Sequence, residues 1–155
     1  MQRPMFIMKH VTLARDGEHR RTFAFVFERE EDPVAGLAKL AHDFQLASCQ
    51  ITAVGGFTRA TLGYFDRELK TYRRIPVESQ CEVLSLLGDI AHEDGKRIIH
   101  LHCVLGLPDA TTRGGHLLDA IVWPTLEVIV TEWPRFLRKR FDPELGLALI
   151  EPTRP

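Results

Sequence analysis

Residues 98–116 read Ile-Ile-His-Leu-His-Cys-Val-Leu-Gly-Leu-Pro-Asp-Ala-Thr-Thr-Arg-Gly-Gly-His. The segment opens as an apolar run that only His100 and His102 interrupt before Gly106. In a strand, successive side chains point to opposite faces. Ile98, His100, His102 and Val104 therefore share one face, and Ile99, Leu101, Cys103 and Leu105 form a core face. The two imidazoles stand about 7 Å apart along the strand, near enough to converge on one ion. Cys103 points away and is excluded as a ligand to that ion. Gly106, Pro108, Gly114 and Gly115 are turn residues. If the chain reverses among them, His116 returns on a neighbouring strand or turn at the level of the pair. Three imidazoles leave an open coordination position, as in catalytic rather than structural zinc sites. Neutral imidazole also suits copper, iron and nickel, so a divalent metal is expected, with zinc the first candidate. The competing reading is a pair of ordinary strand histidines with hydrogen-bonded side chains. The third histidine behind Gly-Gly favours the ligand set.

Outward from this segment the pattern is mostly strands. Residues 5–15 read as a first strand, and Asp16-Gly17 as a turn. Residues 21–28 carry Phe23, Phe25 and Phe27 with Ala24 and Val26 between them. That run fits a strand buried on both faces or nearly so, paired with the first as a hairpin. Asp32 is a helix N-cap and Pro33 suits the first helical position. Val34, Leu37, Leu40, Ala41 and Phe44 follow at helical spacing, which predicts a helix from Pro33 to about Leu46. Further strands are expected over 49–54, 57–65, 70–77, 80–91, 97–106 and 125–132, with residues 116–122 leading into Trp123-Pro124. Gly55-Gly56 should mark a bend or bulge between the first two of these, and residues 107–113 a polar loop. Residues 134–140 contain Arg135, Arg138, Lys139 and Arg140 and read as a basic surface segment, a short helix or a solvated turn. The fold class that results is α/β of the α+β type: a mainly antiparallel sheet with one main helix packed on it, in a single domain over residues 1–155.

Composition excludes several functions. The 155 residues suit one domain. A formal net charge of -1 argues against a broad non-specific grip on nucleic acid. Cys49, Cys81 and Cys103 are odd in number and widely spaced, which predicts buried free thiols in a reducing compartment. The N-terminal residues lack a signal-peptide pattern, and no apolar run approaches a membrane span. The expectation is a cytoplasmic protein without a membrane partner.

Other candidates for chemistry each carry two readings. Glu127 lies in an apolar strand, where a charge needs a partner or a cavity; alternation equally allows a solvent-facing position. Arg59, after the glycine pair, could hold an anionic ligand or be a surface arginine. Asp89 beside Gly88 is similarly open. His10 and His19 belong to the first hairpin region and His42 to the exposed side of the helix. His92 borders a turn and reaches the site only if the strands align favourably. Neither glycine pair is followed by the Lys and Ser/Thr of a phosphate-binding loop.

The order of short motifs resembles a known family. Val54-Gly55-Gly56 precedes Gly63-Tyr64-Phe65-Asp66 and Lys70-Thr71-Tyr72. Leu84-Ser85-Leu86-Leu87-Gly88-Asp89-Ile90-Ala91 and Asp94-Gly95-Lys96 follow. His100-Leu101-His102, Gly114-Gly115-His116-Leu117 and Pro124-Thr125-Leu126-Glu127-Val128 complete the series. Together they look like the plants-and-prokaryotes-conserved (PPC) domain, over about residues 33–132. The resemblance implies a compact domain on an antiparallel sheet, assembled as a homotrimer. It implies DNA association by family, although this sequence holds no Arg-Gly-Arg-Pro AT-hook. The fold is also similar to acetolactate decarboxylase, a zinc enzyme with an H-x-H pair and a third histidine. That likeness assigns His100, His102 and His116 as the metal positions. Residues 109–113 depart from the usual Asp-Gly-containing turn. Three functions are therefore expected: a trimeric binding or assembly module with a metal or small ligand in its pocket, a metal-dependent lyase or hydrolase, or a DNA-associated protein recruited through partners.

Overall fold

The computed structural model describes residues 9–16, 20–134 and 137–151. Strands β1 (Lys9–Arg15) and β2 (Arg21–Phe27) form the expected antiparallel hairpin. Residues 5–8 of the expected first strand, Gly17 and His19 lie outside the described residues. Phe23, Phe25 and Phe27 are buried, whereas Thr22, Ala24 and Val26 are half-buried. The strand thus has one full core face and one partly covered face, as alternation alone demands.

Helix α1 spans Pro33–Asp43. Asp32 caps it: its Oδ1 accepts the Val34 N–H at 2.8 Å and the Ala35 N–H at 3.2 Å. The helix stops short of Leu46 because Gln45 turns left-handed, with φ of 51°. Leu46 is still buried, beyond the helix rather than in it. Leu37, Leu40 and Ala41 bury the apolar face, and the helix packs against β6 and β7, the two strands that carry the histidines.

The remaining strands are β3 (Cys49–Asp66), β4 (Thr71–Val77), β5 (Cys81–Glu93), β6 (Lys96–Gly106), β7 (Thr112–Glu132), β8 (Lys139–Asp142) and β9 (Leu147–Ile150). The large sheet has the order β1-β2-β7-β6-β5-β3-β4, and β3 also pairs with β7. Strands β3, β5, β6 and β7 therefore close into a ring of antiparallel pairings. Two long strands, β3 and β7, take in stretches expected as separate pieces. β3 runs straight through Gly55-Gly56, and β7 runs from Thr112 through Trp123-Pro124. The glycines mark register shifts in a continuous strand instead of a break. A Cβ on Gly55, whose φ is +150°, would stand 2.2 Å from the Thr125 carbonyl oxygen. Only glycine lets β3 and β7 approach so closely.

With nine strands and one 11-residue helix among the described residues, the architecture is more β-rich than the α/β class expected from sequence. The basic segment at 134–140 is likewise not a helix or a solvated turn throughout: residues 139 and 140 begin β8, which pairs with β9 in a separate hairpin. Arg135 lies outside the described residues.

Inside, Phe25, Phe27, Phe57, Leu62, Leu101 and Leu126 belong to one buried cluster. The opposite side of the sheet is only partly covered. Register lays Ala24, Ile129, Thr52, Leu87 and His102 side by side across β2, β7, β3, β5 and β6. Val54, Leu84 and Leu87 on this side are each more than half exposed. No helix among the described residues is long and apolar enough to cross a membrane.

Candidate metal centre

Strand pairing, not the glycine turn, brings the histidines together. His102 on β6 is the direct register partner of His116 on β7. Gly114 and Gly115 already belong to β7, opposite Val104 and Cys103, so the expected Gly-Gly turn is absent. The reversal is made earlier, at residues 107–111. There the Leu107 N–H donates to the Thr111 carbonyl at 2.9 Å, Asp109 accepts from Thr111, and Ala110 is left-handed. His116 lands level with the pair, as the spacing required.

The three rings meet on the outer side of the sheet. The Nε2 atoms of His100 and His102 lie 3.1 Å apart. One nitrogen from each of His100, His102 and His116 lies within 4.8 Å of the others. Nitrogens on one tetrahedral zinc ion stand about 3.3 Å apart, given bonds of about 2.0–2.1 Å. The His100–His102 pair is near that spacing. The buried Nδ1 of His116 has no hydrogen-bond partner, an uncommon state for a buried polar atom. These residues can hold a metal ion.

Electrostatics favour the neutral, ligating form of imidazole. Burial, with the nearby His100, His102 and Lys139, pushes the His116 pKa down to about 4. Burial, then His100, lowers that of His102. Behind these histidines stands Asp89, the register partner of His100. Its Oδ2 lies 3.3 Å from His100 Nδ1, and its Oδ1 2.7 Å from Lys139 Nζ. Burial pushes the Asp89 carboxyl up, but His100 and Lys139 together outweigh it and hold the group below the usual carboxylate range. A carboxylate on one ring nitrogen fixes the tautomer so that the other nitrogen faces the ion. The Tyr72 ring lies 4.7 Å from His116, centroid to centroid.

The histidines line a pocket of about 660 Å³. Its other walls are Gly63, Tyr64, Phe65 and Tyr72 from the β3–β4 hairpin, Ile98 and Ile99 from β6, and Lys139 with Leu147, Ala148 and Leu149 from the β8–β9 hairpin.

Glu127 and Arg59 are not among these lining residues. Glu127 is exposed beside Val54 and Ile129 on the open side of the sheet. Arg59 is half exposed and lies 3.7 Å from Asp119. Cys103 faces the core, and burial pushes its thiol and that of Cys49 up to about 12. All three cysteines are free and buried. His10 packs against Phe25 and Phe44, His42 is exposed on the helix, and His92 receives the β8 region, its N–H donating to the Leu137 carbonyl.

Sequence reasoning missed Lys139, taken as part of a basic surface run. It is 8% exposed. The sequence did hold a sign: Asp142-Pro143 and Gly146, between that run and the apolar residues 147–150, spell a hairpin turn. Gly146 has φ of +74°. Pairing β8 with β9 then delivers Lys139 to the pocket. Tyr72 was visible only as a family motif.

The class is thus a β-rich domain with three imidazoles converging at the foot of a partly apolar pocket. The chain belongs to the Plants and Prokaryotes Conserved (PCC) domain family, also abbreviated PPC, which matches residues 14–134. A plant- and prokaryote-conserved protein from Pyrococcus horikoshii is 25% identical, with a TM-score of 0.80 and full coverage of both chains. A metal-containing protein from Archaeoglobus fulgidus is 28% identical, with a TM-score of 0.78, covering 96% of this chain and 100% of that one. A Bacteroides thetaiotaomicron protein described as a candidate DNA-binding protein has a TM-score of 0.84 at 23% identity, covering 94% and 98%, and shows the shared fold. A weaker likeness reaches α-acetolactate decarboxylase from Bacillus subtilis: TM-score 0.57, 12% identity, 81% of this chain and 58% of that one. It too shows fold alone. No curated protein matches the chain.

Proposed function

We propose that this protein is a homotrimeric PPC module that holds one divalent ion, zinc by the chemistry of its ligands, on His100, His102 and His116, and binds a small ligand beside it. The observation that carries this reading is the convergence of three imidazoles at one end of a pocket of about 660 Å³. Three neutral nitrogens suit zinc and leave a fourth position for a ligand. The ion would supply Lewis acidity there. His100, His102 and His116 hold it, Asp89 orients His100, and the pocket walls exclude water from one side of the ligand. The metal-containing relative of Archaeoglobus fulgidus supports the reading.

Assembly of three copies follows the family resemblance, and the half-exposed Val54, Leu84 and Leu87 offer an apolar surface for it. Association with DNA would run through a partner, because a net charge of -1 supplies no broad basic face. A second reading, a metal-dependent lyase or hydrolase, is favoured by the pocket adjoining an open coordination position. Among the described lining residues, Tyr64, Tyr72 and Lys139 are the other side chains with protons to donate.

Metal analysis of the purified chain, with zinc available and no chelator, tests the site. One zinc per chain is expected in the wild type and a clear loss in His102→Ala. A zinc-free wild type would remove this function. Light scattering tests the assembly: a mass of three chains is expected, and a monomer at micromolar concentration would contradict it.

A further inference from the structure

We infer that Lys139 sets the charge of this centre, so that the pocket selects a small organic anion with an apolar body. The inference rests on the metal reading above. It starts from a charge count. Three neutral imidazoles add none. Asp89 carries one negative charge and Lys139 one positive charge, 2.7 Å apart, and the two offset each other. Lys139 is 5% exposed at its side chain and Asp89 20%, so solvent screens the pair poorly. No acidic residue appears among the described lining residues of the pocket. A divalent ion held there keeps its charge uncompensated at the open position, which favours an anionic donor. Phe65, Ile98, Leu147 and Leu149 wall the rest of the pocket with apolar surface.

Lys139 and the Leu147–Leu149 wall lie beyond residue 134, where the family match stops. The C-terminal hairpin therefore supplies the cation and part of the apolar wall, while the three histidines, Asp89, Phe65 and Ile98 lie in the family region. Lys139 lines the pocket and pairs with Asp89; it is not a ligand of the ion.

The two members of this ion pair have opposite signs of effect, which a purely structural pair would not show. Asp89→Asn removes a negative charge and weakens the hold on His100, so zinc affinity falls by roughly 10–100-fold. Lys139→Met removes a positive charge and leaves the carboxylate uncompensated beside the ion. Zinc affinity then rises, on the order of tenfold, while affinity for an anion at the open position falls by a similar factor. Lys139→Arg restores wild-type values.

Zinc affinity is measured by chelator competition on the full chain. Binding of hexanoate and of hexanol to the zinc-loaded chain is measured by calorimetry. On the wild type, which needs no variant to fold, hexanoate is expected to bind at least tenfold tighter than hexanol. Equal binding of the two, or a Lys139→Met variant that loses zinc in step with Asp89→Asn, would overturn the inference and leave the metal centre standing. A wild type that takes up no zinc overturns both.

Discussion

Gly88→Ala puts the packing around the histidine strand to a direct test. Gly88 lies on β5 opposite Leu101, between the positions facing His100 and His102. A Cβ there would stand 2.2 Å from the His100 carbonyl oxygen and 2.6 Å from Leu101 Cδ2. Ordinary contact begins at 3.4 Å, so β6 must move away by about 1.2 Å at His100. The obstacle is backbone and cannot rotate aside. Overpacking of this kind costs about 1–3 kcal/mol. The upper end is expected here, because Leu101 is 2% exposed and cannot yield outward. At about 2–4 °C per kcal/mol for a chain of this size, melting should fall by roughly 6–12 °C. Zinc affinity should fall at least tenfold as well, since a site displaced by about 1 Å loses its geometry. Urea unfolding and chelator competition read the two effects. A Gly88→Ala variant with wild-type midpoint and wild-type zinc affinity would refute the close β5–β6 approach on which the site's geometry rests.

Other outcomes follow from the same structure. The zinc-free chain should lose stability as pH falls from about 6.5 to about 4. In that window the unfolded chain protonates His116 while the folded chain, with a pKa near 4, does not. The His116 contribution is intact above pH 6.5 and lost below 4; a urea midpoint flat across the window in the wild type but sloping in His116→Gln would contradict it. Zinc retention should persist into mildly acidic solution and fail as pH approaches 4, because the ligating form is neutral imidazole. Arg21→Ala should cost about 3–5 kcal/mol in urea unfolding. It strands Glu132, whose side chain is 2% exposed and held by two bonds of 2.7 and 3.0 Å. A loss under 1 kcal/mol would show the pair to be dispensable. Asp32→Ala should cost about 1 kcal/mol by removing the α1 cap, while Asp32→Ser should cost little.

Local patterning carried most of the architecture and set two of the three candidate histidines on one strand face. Alternation along 98–106 separated His100 and His102 from Cys103, and the structure keeps them on opposite faces because β6 is a regular strand with a covered inner side. Asp32-Pro33 located the start of α1 because capping chemistry is local. What alternation could not supply was pairing. Gly55-Gly56 and Trp123-Pro124 look like interruptions in one dimension, yet β3 and β7 continue through them because each strand holds the other in register. Gly114-Gly115 likewise read as a turn, though the reversal belongs to Ala110 and its neighbours. Lys139 was misplaced for the same reason: a lysine in a basic run looks solvated until the β8–β9 hairpin carries it to Asp89. Asp89 itself had two open readings until its cross-strand partner proved to be His100.

The most direct test of the central claim is diffraction at the zinc absorption edge from crystals of the full chain grown with zinc. One anomalous peak per chain is expected, about 2.0–2.1 Å from one nitrogen each of His100, His102 and His116, with no fourth protein ligand. The absence of a peak at these histidines, or a peak coordinated by other side chains, would contradict it.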